Sequence, residues 1–437
     1  MFFDASKNEK FIIIKRSIEV DDDLKEFIFK NSNYRRKVWN DFVSEYKRCR
    51  NSNEKFDPTK FRFDYFHNIE IPNNIYDTHV TGISEQVYKD IIFGIRKCNE
   101  NNGELKFRKF DRFRCSFKVH CKPYYHKSKK DNKHHIISRV KIKNPTKIEF
   151  GDNGYHKMEI KLKEPLYDIN FVCDDETFYS DKNGYYTFSG IDIKTISFLH
   201  ELGKFYICLA VNVNCTYDKN SENKKRLKYA GIDLGIRNAL TICDKNGFII
   251  LNMPKRLLTR IEYLFRRTKR LQKIMDRKFV INKKRGVSIY SKNYIRVQEK
   301  FRKTWKRIVN IRLDWRRKIS KLIVTRYNNI CVDTFYTPTQ DNHLDMPIYV
   351  SKYINSYNRR VGMYDLSQCI ITASRKYNTR YIEAPKNTTR TCSKCGHVNK
   401  PVPLGINELV CEECGSVIDR DLNASKNCYK YLKNNNF

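Results

Sequence analysis

Two cysteine pairs near the carboxyl-terminal end constrain this chain more than any other feature of its sequence. Cys392 and Cys395 form the first pair, Cys411 and Cys414 form the second, and the spacing is C-x2-C-x15-C-x2-C. Four thiolates satisfy tetrahedral Zn²⁺ without needing a large apolar core. The spacing therefore predicts a zinc site. Because four protein ligands leave no position for a catalytic water, we expect this zinc to be structural.

A redox role is the other interpretation of paired cysteines. The doubled motif favours zinc, and so do the glycines that follow each pair, Gly396 and Gly415, since such turns point backbone amides at sulfur. The chain has 15 cysteines, and those outside the two pairs are mostly scattered singly, as is typical of inert thiols in a reducing compartment. No apolar run reaches about 18 residues and no secretory signal opens the chain. We expect an intracellular protein, cytoplasmic or nucleoid-associated, or nuclear in a eukaryotic or viral setting.

The charge balance of the chain indicates a polyanionic partner. The 437 residues include 86 Lys and Arg against 49 Asp and Glu, which gives a formal net charge of +37. A surplus of this size repels itself unless a polyanion neutralises it, and nucleic acid is the partner that such charge favours. A lysine-rich solvated surface is the plainer alternative.

The hydrophobic pattern changes along the chain and predicts a multidomain α/β protein. A β-branched run marks a first strand, and the pattern then becomes helical until about residue 104. Short alternating runs follow from about residue 105, separated by Asn, Asp, Gly and Pro, and they predict a barrel or sandwich of antiparallel strands. In the last part of the chain, strands alternate with helices.

Two long basic helices follow the first three strands of the last domain. Each has an apolar seam, and the second seam includes Trp305 and Leu322. Their polar faces carry many Lys and Arg with few acids to pair them, Arg316 and Arg317 among them. The surplus predicts a hairpin that contacts a nucleic-acid backbone, with a merely solvated hairpin as the alternative. A further helix is predicted over about residues 352–376.

Three aspartates lie where strands end or a helix begins. Asp233 ends an apolar strand in GIDLG, Asp333 ends another in ICVDTF, and Asp421 opens a helix in IDRDLNASKN. Hydrolysis of a phosphodiester needs the attacking water and the leaving oxygen polarised, which two Mg²⁺ ions held by carboxylates achieve. Two strand ends and a helix start are where an RNase H-like sheet places such acids.

The order of these motifs resembles TnpB-type transposon nucleases, whose relatives are the Fanzor proteins and the compact type V CRISPR effectors. The similarity covers about residues 225–430 through GIDLG, the basic hairpin, the strand-end acid, NTTRTCSKCG, CEECG and DRDLNASKN. Upstream support is weaker and comes from NSNYRRKVWNDF and FRKFDRFRCSF.

The resemblance implies an amino-terminal β-barrel, the oligonucleotide-binding wedge, with an inserted helical recognition lobe. It also implies a carboxyl-terminal RNase H-like RuvC domain interrupted by the four-cysteine zinc ribbon, which binds target nucleic acid. The implied boundaries are the first wedge strand at 1–20, the recognition lobe at 21–104, the wedge barrel at 105–222, the RuvC domain at 223–387 and 419–437, and the ribbon at 388–418.

By the same resemblance, Asp233, Asp333 and Asp421 form a catalytic triad that binds Mg²⁺, and the partners are a guide RNA and a double-stranded DNA target. The family has glutamate where this chain has Asp333. Some eukaryotic relatives relocate that glutamate, so Glu383 is a substitute to be considered. Asp419 is an alternative to Asp421, which fits the family's Asp-x-Asn-Ala pattern better.

Three functions remain open on the sequence. The leading one is an RNA-guided DNA endonuclease in which base pairing supplies specificity and the protein grips the backbone. An RNA-guided DNA-binding repressor with an impaired nuclease is the second. A generic zinc-ribbon nucleic-acid-binding protein or a DNA-transposing recombinase accounts for the charge and the cysteines but not for the ordered acids. The guide, the flanking motif and the oligomeric state, monomer or dimer, stay undetermined.

Overall fold

The computed structural model describes residues 11–68, 80–121, 124–127, 134–137, 140–152, 156–166, 193–212, 226–284, 290–333, 355–357, 359–401 and 406–435. It is a mixed α/β, multidomain protein, as the sequence predicts. The chain divides into two compact units, Met1–Tyr217 and Asp218–Phe437. None of the helices in the described ranges has both the length and the apolar character needed to cross a membrane.

In its described residues the first unit has the helices α1 (Asp22–Asn51), α2 (Pro58–Asn68) and α3 (Val80–Glu100). The Asp21 carboxylate accepts a hydrogen bond of 2.8 Å from the backbone N–H of Leu24 and so caps α1. Acidic residues in the first turn of α1 interact favourably with the positive end of the helix dipole. Local capping and an apolar stripe therefore account for where α1 begins and which face it buries.

The strands of the first unit are β1 (Phe11–Ser17), β2 (Arg114–His120), β3 (Tyr124–Lys127), β4 (His134–Ile137), β5 (Val140–Asn144), β6 (Lys147–Asp152), β7 (His156–Lys161), β8 (Ile193–Glu201) and β9 (Lys204–Asn212). They form an antiparallel sheet in the order β1-β9-β8-β2 and two smaller sheets, β3-β4 and β5-β6-β7. Helix α1 packs on the larger sheet through Phe27, whose ring lies 5.5 Å from that of Phe117. The described strands do not form the closed barrel that the resemblance to TnpB-type nucleases implies.

The second unit contains β10 (Leu227–Asp233), β11 (Leu240–Asp244), β12 (Gly247–Leu251), α4 (Lys255–Lys284), α5 (Lys292–Arg326), β13 (Tyr327–Asp333), α6 (Met363–Lys376), β14 (Arg380–Glu383), β15 (Glu408–Val410), β16 (Val417–Asp419) and α7 (Arg420–Asn434). Five strands form one sheet in the order β12-β11-β10-β13-β14. Strands β10, β13 and β14 run parallel, whereas β11 and β12 form an antiparallel meander beside β10.

The two faces of this sheet pack against different helices because successive side chains of a strand point to opposite faces. Ile232 and Val332 belong to the larger core, together with residues of α4, α5 and α6. Cys331 lies on the other face, where it packs with Cys428 and Leu432 of α7. Helix α7 therefore packs on the face that carries the strand-end aspartates.

The basic hairpin forms as predicted, but two details of its faces differ. Trp305 and Leu322, expected in the apolar seam, are 43% and 51% exposed. Arg316, expected on the solvent face, is buried at 6% exposure. The helix expected over residues 352–376 is interrupted at Gly362, which has a left-handed φ of +72°. Packing against a neighbouring helix decides which of these side chains are buried, and the periodicity of one helix does not reveal that packing.

Gly231 permits the close contact between β10 and α7, and Gly231→Ala is expected to destabilise the protein by about 3 kcal/mol or more. A Cβ at this position would lie 2.2 Å from the Ser425 carbonyl oxygen and 2.2 Å from the Tyr429 nitrogen. Both are backbone atoms, so the helix itself must move. Chemical denaturation with each variant measures the change.

Gly103→Ala is the matched control, because the nearest atom to its Cβ position is 3.9 Å away. We expect it to change the free energy of unfolding by less than about 0.5 kcal/mol. Equal stability of the two variants would show that α7 does not need this close approach.

Candidate functional site

The carboxylates of Asp233 and Asp333 lie on neighbouring strands at one end of the central sheet. The two residues pair directly in the parallel register of β10 and β13, so their side chains share a face. Asp421 lies in the first turn of α7, which packs on that same face. The structure therefore brings together three acids separated by up to 188 positions in the sequence.

Gly235 lies beside two of these acids. A Cβ built on it would lie 2.9 Å from the Asn238 carbonyl oxygen, 3.7 Å from Oδ2 of Asp233 and 3.7 Å from Oδ2 of Asp421. Because the Asn238 oxygen is a backbone atom, a larger residue at this position would force the loop after β10 to shift. The second glycine of GIDLG is thus explained by the close approach of the Asn238 backbone, and an oxygen of Asp233 and one of Asp421 lie near the same point.

Two residues of the loop after β10 bind the acids of α7. The Arg237 guanidinium lies 2.5 Å from Oδ2 of Asp419 and 3.1 Å from Oδ2 of Asp421. The Asn238 side-chain amide donates to Asp421 Oδ2 at 3.1 Å. The other carboxylate oxygen of Asp419 accepts from the backbone N–H groups of Asp421 and Leu422, so Asp419 is the cap of α7. This placement distinguishes the two acids: Asp419 holds the helix start, whereas Asp421 faces Asp233.

Burial and mutual repulsion both raise pKa values in the acidic cluster. Burial raises the pKa of Asp233 well above its ordinary value, and the charges of Asp333 and Asp421 raise it further, against a smaller opposing effect of Arg420. Burial also raises the pKa of Asp333, while the Thr388 hydroxyl, which donates to its carboxylate, lowers it. A bound cation would relieve this repulsion, which is the usual reason for concentrating carboxylates at one point.

The register of the sheet separates Glu383 from the other acids. Glu383 pairs with Val332, one residue before Asp333, and paired residues of parallel strands point to the same face. Val332 belongs to the core on the α4–α6 side, so Glu383 points away from Asp233, and it is exposed. Asp333 is accordingly the acid that the structure places beside Asp233.

The four cysteines converge as their spacing predicts. The sulfur of Cys392 lies 3.7 Å from that of Cys414, and the sulfur of Cys395 lies 3.5 Å from that of Cys411. Sulfurs bound tetrahedrally to one zinc at about 2.3 Å are about 3.8 Å apart, so the group fits this metal. Across the described ranges, no other set of three or more His, Cys, Asp or Glu has all its ligand atoms within 4.8 Å of one another.

The turns around the cysteines contain glycines with a positive φ, and hydrogen bonds favour the thiolate form of Cys392. Gly396 and Gly415 both have a positive φ, at +86° and +64°, in the turn after each pair. Burial raises the pKa of Cys392, but the Ser416 hydroxyl and the backbone amides of Cys395 and Lys394 outweigh it and hold the value at about 6. A thiol held in this way supplies the anionic ligand that zinc requires.

Helix α7 connects the cysteine module to the acidic site. The Asn423 side chain accepts from Ser393 N–H at 2.7 Å and donates to the Thr391 carbonyl at 2.7 Å. Asn427 donates to the carbonyls of Thr388 and Thr391 at 2.8 and 2.7 Å. Sequence reasoning missed this connection, although the signal is visible in DLNASKN, whose asparagines are four positions apart and so share one helix face.

Two family models match this chain. Residues 211–339 match the model described as a probable transposase of the OrfB_IS605 type, and residues 364–428 match a Cas12f1-like TNB domain. Three proteins of Acanthamoeba polyphaga mimivirus described as TnpB-like are each 28% identical over 234 residues. The matched region is 52% of this chain and 40% of those relatives, so it spans less than half of their length.

The parts of the chain that carry the central sheet, the three acids and the cysteine module are thus similar to a transposase family and to a TNB domain. These similarities to TnpB-type proteins confirm the resemblance seen in the sequence.

Solved structures that match this chain over nearly its whole length include two nucleic-acid complexes. One is a Cas12f1–sgRNA–target DNA complex, with 13% identity, a TM-score of 0.47 and coverage of 97% of this chain and 99% of that one. The other is CasPhi-2 (Cas12j) bound to crRNA, with 12% identity, a TM-score of 0.39 and coverage of 97% and 98%. Because both TM-scores are below 0.5, the likeness to TnpB-type proteins rests on the sequence matches.

Proposed function

We propose that this protein is an RNA-guided DNA endonuclease that hydrolyses phosphodiester bonds of double-stranded DNA at one RuvC-like site. The observation that carries the proposal is the convergence of Asp233, Asp333 and Asp421 from two parallel strand ends and a helix start. The five-stranded order β12-β11-β10-β13-β14, with a meander beside parallel strands, suits an RNase H-like domain. The net charge of +37 suits partners with many phosphates, namely a guide RNA and a DNA target.

Mg²⁺ and Zn²⁺ are the cofactors that these side chains fit. The three aspartates supply hard oxygen ligands, and Mg²⁺ held by them would polarise the attacking water and the leaving oxygen. The four cysteines would hold a structural zinc. Arg237 and Asn238 position the Asp421 carboxylate, and Thr388 positions that of Asp333.

The domain roles follow the same proposal. Residues 1–20 and 105–222 would form the wedge, residues 21–104 the recognition lobe, residues 223–387 and 419–437 the RuvC domain, and residues 388–418 the ribbon that contacts target nucleic acid. The ranges come from the resemblance, and the helices of the first unit and the cysteine module of the second are compatible with them. The protein would act inside a cell.

A nuclease-impaired, RNA-guided repressor is the second candidate, and Asp333 is the observation that favours it. Its carboxylate reaches about one C–C bond less far than the glutamate of the family, and it accepts a hydrogen bond from Thr388. Within the described ranges, the three carboxylates also fail to gather within 4.8 Å of one another. A protein with such a site would still bind nucleic acid through the rest of its surface even where cleavage is weak.

Cleavage of a plasmid library separates the two candidates. The library carries a guide-matched target beside randomised flanking bases, and the RNA that copurifies with the protein supplies the guide. Asp333→Ala is expected to lose cutting by about a hundredfold or more, because it removes the acid that pairs with Asp233 across β10 and β13. Glu383→Ala is the matched control and should stay within about twofold of wild type, because this side chain points to the other face.

The outcome decides between nuclease and repressor. Guide-dependent binding without cutting by the wild type, with cutting gained in Asp333→Glu, would establish the repressor. Loss of cutting in Glu383→Ala with activity kept in Asp333→Ala would contradict the site proposed here. Purification without any defined RNA would overturn guidance itself.

A further inference from the structure

Thr241 lies on β11, beside the strand-end aspartates. It pairs directly with Asp233 in the antiparallel register of β10 and β11, just as Asp333 pairs with Asp233 on the other side. Directly opposed residues of neighbouring strands point to the same face of a sheet, with their Cβ atoms about 5 Å apart. Asp333, Asp233 and Thr241 therefore form one row across three strands.

The residues next to this row show which face of the sheet it occupies. Ile232 and Ile242 pair with each other and belong to the core on the α4–α6 side. Successive side chains of a strand alternate between the two faces, so Asp233 and Thr241 point to the other side, where α7 packs. Asp421 of α7 reaches Asp233 on that same side. Thr241 thus belongs to the layer between the sheet and α7 that also holds the acids.

The Thr241 hydroxyl is buried and unpaired. The residue is 0% exposed, and its Oγ1 has no hydrogen-bond partner in the part of the chain that the structure describes. Such a hydroxyl destabilises the folded protein, because it gives up its hydrogen bonds to water and gains none in return. Valine has nearly the same shape without this cost, and it is equally suited to a strand. Packing therefore explains a β-branched residue at this position but not its hydroxyl.

Other buried threonines of the chain satisfy their hydroxyls within the protein. Thr268 of α4 donates to the Phe265 carbonyl at 2.8 Å. Thr304 of α5 donates to the Lys300 carbonyl at 2.7 Å. Among the buried threonines of the described ranges, only Thr241 leaves its hydroxyl unpaired, and it is the one that lies beside Asp233. The unpaired hydroxyl thus coincides with the acidic cluster.

We infer that Thr241 is a positioning residue of the cation site, and that its hydroxyl orients a water molecule bound to the Mg²⁺ that the aspartates hold. Mg²⁺ loses its waters reluctantly and usually keeps several of them when carboxylates bind it. A threonine hydroxyl can accept a hydrogen bond from such a water and donate one to a carboxylate oxygen. Groups that hydrogen-bond to the ligands of a metal in this way orient those ligands and raise its affinity. The inference rests on the proposed metal site, but not on cleavage of DNA.

Titration with Mn²⁺, which takes the same oxygen ligands as Mg²⁺, tests this role. The full chain is freed of nucleic acid and of Mg²⁺, bound Mn²⁺ is followed by electron paramagnetic resonance, and Mg²⁺ is then added as competitor. Binding that Asp233→Asn abolishes defines the site. Thr241→Val removes the hydroxyl and keeps the shape, and we expect it to bind both cations about tenfold more weakly than wild type.

Thermal unfolding without a cation separates positioning from packing. The midpoint of Thr241→Val should equal or exceed that of wild type, because an unpaired buried hydroxyl is gone. Thr241→Ser keeps the hydroxyl and loses a methyl group, so its midpoint should fall while its cation affinity stays within about twofold of wild type. Thr268→Val is the matched control: it removes a paired hydroxyl far along the chain, and should lower the midpoint without changing cation affinity.

Either of two results would overturn the role of Thr241 alone. Equal cation affinity in Thr241→Val and wild type would show that the hydroxyl does not serve the cation. A lower thermal midpoint of cation-free Thr241→Val would show that the hydroxyl is bonded within the protein. A wild type that binds neither cation would overturn the proposed metal site and this role with it, whereas weaker binding in Thr241→Val of a protein that never cuts DNA would support the role while contradicting the proposed nuclease.

Discussion

Asp233→Asn is expected to reduce Mg²⁺-dependent cleavage by about a thousandfold or more and, at the same time, to stabilise the metal-free protein. The residue is 6% exposed, and burial together with Asp333 and Asp421 raises the pKa of its carboxyl group well above the ordinary value. The substitution removes a proposed metal ligand and also removes this unfavourable charge. Cleavage assays and calorimetry without Mg²⁺ measure the two effects on one variant.

The stability difference should depend on pH. Because the folded-state pKa of Asp233 lies above the unfolded value of 3.8, the folded chain binds more protons than the unfolded chain. The contribution of Asp233 to stability is therefore fully present below pH 3.8 and is lost as the pH rises through the folded-state pKa. We expect the advantage of Asp233→Asn over wild type to be small in acid and to grow toward neutral pH.

Asp314→Asn is the control for this experiment, since Asp314 is an exposed acid paired with Lys318. Its stability relative to wild type should not rise toward neutral pH. Addition of Mg²⁺ should raise the thermal midpoint of wild type and of Asp314→Asn but not that of Asp233→Asn. A variant at Asp233 that cuts normally, or that is no more stable than wild type at neutral pH, would contradict the metal site.

Removal of zinc from the four-cysteine module is expected to lower cleavage by about a hundredfold or more, although zinc takes no part in the reaction. Structural zinc stabilises small modules by about 10–16 kcal/mol, so the module should unfold without it. Asn423 and Asn427 bond to the backbone of residues 388–393, and α7, which carries them, also carries Asp421. A displacement of about 1 Å at a reacting group is enough for a loss of this size.

Cys411→Ser tests this coupling, with Cys369→Ser as the control because Cys369 is a free cysteine of α6 outside the module. Zinc content, hydrogen exchange in α7 and cleavage are measured on both variants. The control should keep its zinc and its activity, and zinc returned to chelated wild type should restore cutting. A zinc-free protein that cuts normally would show that α7 holds Asp421 without the module.

Local features of the sequence predicted much of this protein. The four cysteines were recognisable because each pair and its glycine form a self-contained turn, and two such turns define a tetrahedral site. The strand ends at Asp233 and Asp333 were visible because an apolar run stops there, and the basic hairpin was visible in its periodicity. The resemblance to TnpB-type proteins depended on the order of these local motifs.

The tertiary structure decided what depends on pairing between distant segments. Whether Asp333 or Glu383 joins Asp233 is a question of strand register, and a shift of one residue exchanges the two faces. The contacts of Arg237 and Asn238 with Asp421, and the burial of Arg316 against α6, likewise join residues far apart in the chain. Sequence by itself determined the set of candidate site residues, because residue type and short spacing are local properties. Only the fold decided which of them face one another, because that is set by the packing of sheet and helices.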